Sequence, residues 1–386
     1  MFSRRLPPHA DLNALSHAVS RRRARGASIV DLTESNPTRA AFRYAPDLLR
    51  VLASDAALCY EPHPLGLLVA REAVARDHAR RGVTVDPDHV VLAASTSEAY
   101  TWLFKLLCDP GDAVLVPRPS YPLFEHLTAL EGVVAAPFDL DYHGRWEIDF
   151  ATVEQAPRST RALIVVSPNN PTGSYVSARE MERLFTMCRE RGWALIADEV
   201  FADYPLDTDS PLTDIASRAD VLTFSLGGLS KTVGLPQLKL AWLVVGGPSD
   251  ICARALTGLE LIADSFLSVS TSVQIAAPTL LECGGAIRAQ MHQRIRENLT
   301  ILRETARSFP ACEVLKVEGG WSAVIRVPAT RTEDQLVIDL LEAEGILVHP
   351  GYFFDFPSEA FLVVSLLPQT ATLLDALPRL FRCVSS

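Results

Sequence analysis

The chain has 386 residues, 48% of them hydrophobic and 21% charged, with a formal net charge of −10 at pH 7. This length exceeds what one hydrophobic core usually serves, so two domains are expected. The acidic balance argues against nonspecific contact with nucleic acid or an anionic membrane. No apolar run reaches the roughly 18 residues of a membrane span, and Met1-Phe2-Ser3-Arg4-Arg5 leads into prolines rather than an apolar signal core, so a cytoplasmic protein without membrane contact is expected.

Leu12, Leu15 and Val19 fall at helical spacing and lead into Arg21-Arg22-Arg23-Ala24-Arg25, which reads as a solvated helix end. From residue 90 the chain alternates short β-branched runs with amphipathic stretches. Val90 to Ala93 predicts a strand, Glu98 to Leu107 a helix closed by Asp109-Pro110-Gly111-Asp112, Ala113 to Val116 a strand, and Leu123 to Leu130 a helix. Ala162 to Val166 predicts a strand that runs into the turn Pro168-Asn169-Asn170-Pro171-Thr172-Gly173. Ser177-Ala-Arg-Glu180 is a capping-box pattern opening a helix that Gly192 stops. Trp193 to Ala197, Val221 to Leu226 and Leu240 to Val245 complete the strands. Ile287, Met291, Ile295, Leu299 and Leu302 keep helical spacing over a long helix after Gly284-Gly285, and residues 311–386 alternate strand and helix signals again.

Fully apolar strands separated by helices predict an α/β fold: a three-layer α/β/α large domain with a mostly parallel sheet, plus a smaller α/β domain. The expected division is 41–285 for the large domain and 1–40 with 286–386 for the small one. In such sheets ligands gather beyond the C-terminal ends of strands. Ser95, Thr96, Ser97, Tyr121, Asn170, Asp198 and Lys231 all follow predicted strands. The seven cysteines are odd in number, scattered and without a C-x-x-C pair, and the nine histidines form no H-x-x-x-H pattern; reduced thiols and no metal site are expected.

Only four of the 36 basic residues are lysine: Lys105, Lys231, Lys239 and Lys316. Lysine differs from arginine in having a removable proton, so its neutral amine can attack a carbonyl and form a Schiff base. Lys231 lies in Ser225-Leu-Gly-Gly-Leu-Ser-Lys-Thr-Val-Gly234, a glycine-rich setting suited to a backbone turned tightly around a ligand.

These residues resemble the fold-type I, pyridoxal-phosphate-dependent aminotransferases of class I/II, from Asp31 to the C-terminus. The specific features are Pro168-Asn-Asn-Pro-Thr-Gly173, Asp198-Glu199 and Ser230-Lys231, in that order and spacing. The resemblance implies that Lys231 holds pyridoxal 5′-phosphate as a Schiff base and shuttles a proton, with Asp198 on the pyridine nitrogen. It implies that Asn170 donates to the ring oxygen and Tyr121 covers the ring. Ser95, Thr96, Ser97 and Ser230 would bind the phosphate, and Tyr60 would reach the phosphate of a neighbouring subunit in a homodimer. The expected reaction is ping-pong transfer of an amino group from an amino acid or amine to a 2-oxo acid. A lyase, decarboxylase or synthase on the same scaffold is the alternative, and a non-catalytic, cofactor-sensing module the remote one.

Four positions depart from the family pattern. Lys239 stands where a phosphate-binding arginine is usual, and Gly228 where a serine is frequent. Phe201 replaces a tyrosine that donates to the ring oxygen, which should raise the Schiff-base pKa; Tyr204 is a candidate substitute. Val363 occupies the position of the arginine that grips the substrate carboxylate. Arg39, which follows Ser35-Asn36-Pro37 on the substrate side, is the first candidate replacement and Arg326 the second, with Arg118 and Lys239 also near by motif.

Overall fold

The computed structural model describes residues 3–6, 13–206, 215–216 and 218–385. Leu12 of the first helical pattern and the N-terminal Met1-Phe2 therefore lie outside the described residues. In chain order the elements are α1 Ala14–Ala24, β1 Val30–Asp31, α2 Leu68–Arg80, β2 Val90–Ala93, α3 Thr96–Leu107, β3 Ala113–Arg118, α4 Phe124–Glu131, β4 Val134–Tyr142 and β5 Trp146–Ile148. They continue with α5 Phe150–Glu154, β6 Thr160–Val166, α6 Ala178–Arg191, β7 Ala194–Asp198, β8 Thr223–Gly228, α7 Leu229–Thr232, β9 Ala241–Gly246, α8 Ser249–Asp264 and α9 Thr271–Cys283. The last are α10 Gly285–Ala306, β10 Glu313–Val314, β11 Ser322–Arg326, α11 Glu333–Glu344, β12 Ile346–Leu347, β13 His349–Pro350, β14 Phe361–Ser365 and α12 Thr370–Ser385.

Among the described residues the main sheet has eight strands in the order β2-β9-β8-β7-β6-β3-β4-β5. The pairs β8/β7, β7/β6, β6/β3 and β3/β4 are parallel, while β9 runs against both β8 and β2, and β5 against β4. Because β2 and β8 both oppose β9, they run the same way. The C-terminal ends of β2, β3, β6, β7 and β8 consequently share one rim. The β4–β5 hairpin was not anticipated from the sequence.

Alternating side chains of the central strands serve two cores. Leu163 and Leu195 face α6, with Met181, Leu184 and Phe185. Ile164 and Ile196 face the other layer, with Leu103 of α3 and Leu259 of α8. Each such buried aliphatic group contributes about 1.5–3 kcal/mol, so the three-layer arrangement is set by the apolar strands. The capping box forms as expected: Glu180 N–H donates to Ser177 Oγ at 3.3 Å and Ser177 N–H to Glu180 Oε2 at 2.8 Å. Gly192, at φ 69°, ends α6.

A four-stranded sheet, β10-β11-β14-β13, follows the 22-residue α10. β1 pairs in parallel with β12, joining the N-terminal segment to the C-terminal region. No helix of the described residues is long and apolar enough to cross a membrane.

Candidate active site

Asp198 is the last residue of β7 and is buried. Among the described residues its two oxygens have one donor each: Val200 N–H to Oδ1 at 3.1 Å, and Tyr100 O–H to Oδ2 at 2.9 Å. Burial raises the Asp198 pKa, opposed by these two hydrogen bonds and by Lys231. Tyr100 carried no signal in the sequence, since it reads as part of the apolar face of α3.

Lys231 sits on the single turn α7, immediately beyond β8. Its Nζ lies 4.6 Å from the centroid of the Trp321 ring and 5.3 Å from that of Phe201, and those two rings meet edge-on at 5.3 Å. Burial lowers the Lys231 pKa from 10.5 to about 8, with the Asp198 carboxylate pulling the other way. Trp321 is not among the sequence candidates, although a glycine pair, Gly319-Gly320, precedes it; its Nε1 is buried with no hydrogen-bond partner among the described residues. Tyr204 does not replace the hydroxyl missing at Phe201. Its O–H donates to the Lys231 carbonyl at 2.6 Å and so fixes the turn that carries the amine.

The two asparagines of the Pro168–Gly173 turn divide their work. Asn169 is buried, accepting from Ser120 Oγ and donating to Pro119 O and Thr172 Oγ1. Asn170 accepts from Ser322 Oγ at 3.3 Å, and its Nδ2 has no protein partner among the described residues. Gly173, at φ 68°, accepts at its carbonyl from Glu318 N–H at 3.0 Å and Gly319 N–H at 2.8 Å, which docks this turn beside Trp321 and Ser322. A Cβ on Gly173 would lie 2.6 Å from Gly319 O, so glycine is required on two counts.

Ser95 caps α3, its Oγ accepting from Glu98 N–H at 3.1 Å. The Glu98 carboxylate accepts from Ala94 N–H and Ser268 O–H. The N–H groups of Thr96 and Ser97 keep no protein partner among the described residues, which leaves an open helix N-terminus. Burial raises the Tyr121 pKa, and the neighbouring Ser97 side chain opposes the shift. The registers Ala93↔Ala241 and Gly228↔Ala241 bring the residues after β2 and β8 beside those preceding β9. The segments that carry Ser95, Ser230 and the exposed Lys239 thereby adjoin. Gly228 proves more than a lost hydroxyl, because a Cβ there would meet Ala241 Cα and Leu240 O at 3.2 Å.

The candidates for gripping a carboxylate are less favourably placed. Val363 is 2% exposed and packs with Val324 and Phe356, between Val324 and His349 in the sheet. Burial pushes the His349 pKa below 6.5, so this neighbour is no substitute cation near neutral pH. Arg118 is held bidentately by Asp139 at 2.7 and 3.0 Å. Arg326, the second candidate, is an exposed residue of the smaller sheet. It ends β11 four residues beyond Ser322, about 13 Å along the strand, and its exposed guanidinium pairs with Glu313. Arg39 has an exposed side chain 3.2 Å from Glu34. Its loop nevertheless abuts the end of β14: Ser365 N–H donates to Leu32 O, and Ser365 O–H to Glu34 O, both at 2.7 Å. Ser35 lies exposed in the same loop, and Asn36 spends its Oδ1 on Thr38 N–H and O–H. Tyr60 stands apart from the other groups, with 72% of its surface exposed.

A family model described as aminotransferase class I and II matches residues 31–377. The chain is 31% identical over 375 residues to an alanine aminotransferase of Mycobacterium tuberculosis, covering 94% of this chain and 87% of the relative. It is 28% identical over 357 residues to a glutamate-pyruvate aminotransferase of Escherichia coli, covering 88% and 87%. An Escherichia coli aminotransferase structure superposes with a TM-score of 0.88 at 24% identity, covering 100% of this chain and 98% of the other. An alanine aminotransferase from Pyrococcus furiosus gives 0.87 at 22% identity, covering 99% of each. At such identities the structural likeness speaks for the fold, while the sequence matches speak for descent. The chain belongs to the class I and II aminotransferases, a family of fold-type I pyridoxal-phosphate-dependent enzymes, and is an aminotransferase.

Proposed function

We propose that the rim of the main sheet holds pyridoxal 5′-phosphate and carries an amino group from an amino acid, or an amine, to a 2-oxo acid in two half-reactions. The observation that carries this reading is a buried carboxylate, Asp198, near enough to the amine of Lys231 for each charge to act on the other, with that amine against the Trp321 and Phe201 rings and its pKa lowered by burial to about 8. The donor set fits the group. Thr96 and Ser97 N–H, with Ser95, Ser230 and Lys239, suit a phosphate; Asn170 Nδ2 suits a ring oxygen; Asp198 suits a protonated ring nitrogen. When bound, the cofactor supplies a ring that takes up the charge left as a proton leaves the substrate carbon. Lys231 would hold the cofactor through its neutral amine and would serve as the base that carries the proton. Asp198 would keep the ring nitrogen protonated. Tyr121 would cover the ring, while Phe201 and Trp321 exclude water from the amine.

The same reading makes the enzyme a cytoplasmic homodimer. Tyr60 is exposed beside Ala263 and Leu267, and Leu58, Leu261 and Phe266, close to these residues in the chain, are exposed apolar side chains. A partner subunit would cover them, with Tyr60 reaching its phosphate. We further propose that residues 41–285 form the cofactor-binding unit and 1–40 with 286–386 the smaller unit.

The names of the relatives make alanine, glutamate and pyruvate the first substrates to examine. Val363 opposes a simple transfer of that specificity, because an apolar side chain cannot bind a carboxylate. A charge-assisted bond of that kind is worth roughly 1.5–3 kcal/mol, about ten- to a hundredfold in binding. Arg39 serves as the replacement cation if its pairing with Glu34 opens when substrate enters. Spectrophotometric half-reactions against a panel of amino acids and amines, with wild type, Arg39→Ala and Arg326→Ala, decide the matter. Loss of carboxylated donors in Arg39→Ala alone supports this assignment. Good α-amino acid turnover unchanged in both variants refutes it. Preference for amines favours the second reading, which the buried Val363 supports.

A further inference from the structure

Tyr100 is the one side-chain donor to Asp198 among the described residues, and nothing in the family pattern above called for it. It lies on the first turn and a half of α3, is 1% exposed, and donates across 2.9 Å to Oδ2. Its ring is fixed from two sides. Phe104 stacks at 6.1 Å, and Phe124 meets it edge-on at 5.3 Å and 87°. Phe124 in turn meets Tyr121 edge-on at 5.8 Å and 83°. One wedge of α4 thus braces both the ring proposed to cover the cofactor and the phenol that holds the carboxylate. Burial and the neighbouring Asp198 charge push the Tyr100 pKa well above 10, so the phenol stays a donor.

The consequence lies in the geometry of the carboxylate. An ionised carboxylate accepts about four hydrogen bonds, two on each oxygen. Val200 N–H occupies one position on Oδ1 and Tyr100 O–H one on Oδ2. With both oxygens tethered, the carboxylate plane is set before any ligand arrives, and each oxygen keeps a position for a further donor. We propose that Tyr100 is a positioning residue that orients Asp198 toward the pyridine nitrogen of the cofactor. It rests on the reading that pyridoxal phosphate occupies this site. Without the phenol, Asp198 keeps one tether, turns about its terminal bond, and carries a less stabilised charge in a buried place.

The test uses two probes that differ only at the atom concerned: pyridoxal 5′-phosphate and its 1-deaza analogue, whose ring has carbon in place of the nitrogen. Their dissociation constants are measured by equilibrium dialysis on the apoprotein. In wild type the pyridine compound should bind more tightly than the analogue. Tyr100→Phe should weaken the pyridine compound about tenfold, the low end for a charge-assisted hydrogen bond, and leave the analogue within twofold. In an Asp198→Asn background, Tyr100→Phe should cost nothing further. Equal weakening of both probes in Tyr100→Phe would overturn the proposal, since it would mark a packing defect; no weakening of either would do so as well. A wild type that does not distinguish the two probes would sink the cofactor reading at Asp198 itself, a result separable from any outcome of the variant.

Discussion

Opening the aromatic wall around Lys231 should move the pH at which this protein captures pyridoxal phosphate. Two effects of the wall compete. Rings facing an ammonium favour the charged form, by about 2 kcal/mol in a desolvated place. Excluding water disfavours it. Burial against the opposing Asp198 charge lowers the Lys231 pKa from 10.5 to about 8, a displacement worth roughly 3 kcal/mol, which exceeds the ring attraction, so desolvation wins. At pH 7.5 about one amine in four is then neutral, against about one in a thousand for an ordinary lysine. Trp321→Ala removes the nearer ring, 4.6 Å from Nζ, and admits water. The amine pKa should rise toward 10.5, and capture at pH 7.5 should slow by about tenfold for partial hydration and up to about 200-fold for complete hydration. The assay follows cofactor absorbance after mixing with apoprotein from pH 6.5 to 10, with thermal unfolding run alongside because a buried Trp→Ala change costs about 3–5 kcal/mol. Identical pH midpoints in the two proteins, or a wild-type midpoint near 10.5, would refute the reasoning.

Asp198→Asn should leave a folded protein with residual cofactor binding and a turnover lower by orders of magnitude, because a neutral amide does not hold the ring-nitrogen proton; kinetics near wild type would remove Asp198 from the mechanism. The active species should sediment as a dimer, and Tyr60→Phe should speed cofactor loss on dialysis without dissociating subunits; an active monomer would rule out a shared site. Gly227→Ala should destabilise the fold by about 1–3 kcal/mol, as overpacking does, because its Cβ would lie 2.5 Å from Trp242 Nε1; an unchanged denaturation midpoint would contradict that packing.

The parts legible in the sequence are those fixed by short-range chemistry. Val90 to Ala93, Ala162 to Val166 and the strand ending at Asp198 are apolar throughout, a pattern that only strands covered on both faces require. The Ser177–Glu180 cap forms within one turn, so it could be read locally. The β4–β5 hairpin was missed although Ala136, Phe138 and Leu140 alternate correctly, because Pro137 and the flanking charges obscured the period. That β9 runs against β8 and β2 could not be read, since direction in a sheet depends on partners distant in the chain.

The site divides the same way. Lys231, Asp198, Asn170 and the Ser95–Ser97 turn sit at or within a few residues of the C-terminal ends of strands, so finding the strands placed them on one rim. What they face was decided by folding alone. Tyr100 is 98 residues from Asp198 in sequence. Trp321 reaches Lys231 from the residue just ahead of β11 in the four-stranded sheet. Arg39 and Arg326 looked alike in the sequence, yet one lies in the loop against the end of β14 and the other at the far end of β11. Residue type settles which chemistry a side chain can perform. Its partners, its burial and hence its proton affinity depend on groups far away along the chain, and only the packed structure brings those together.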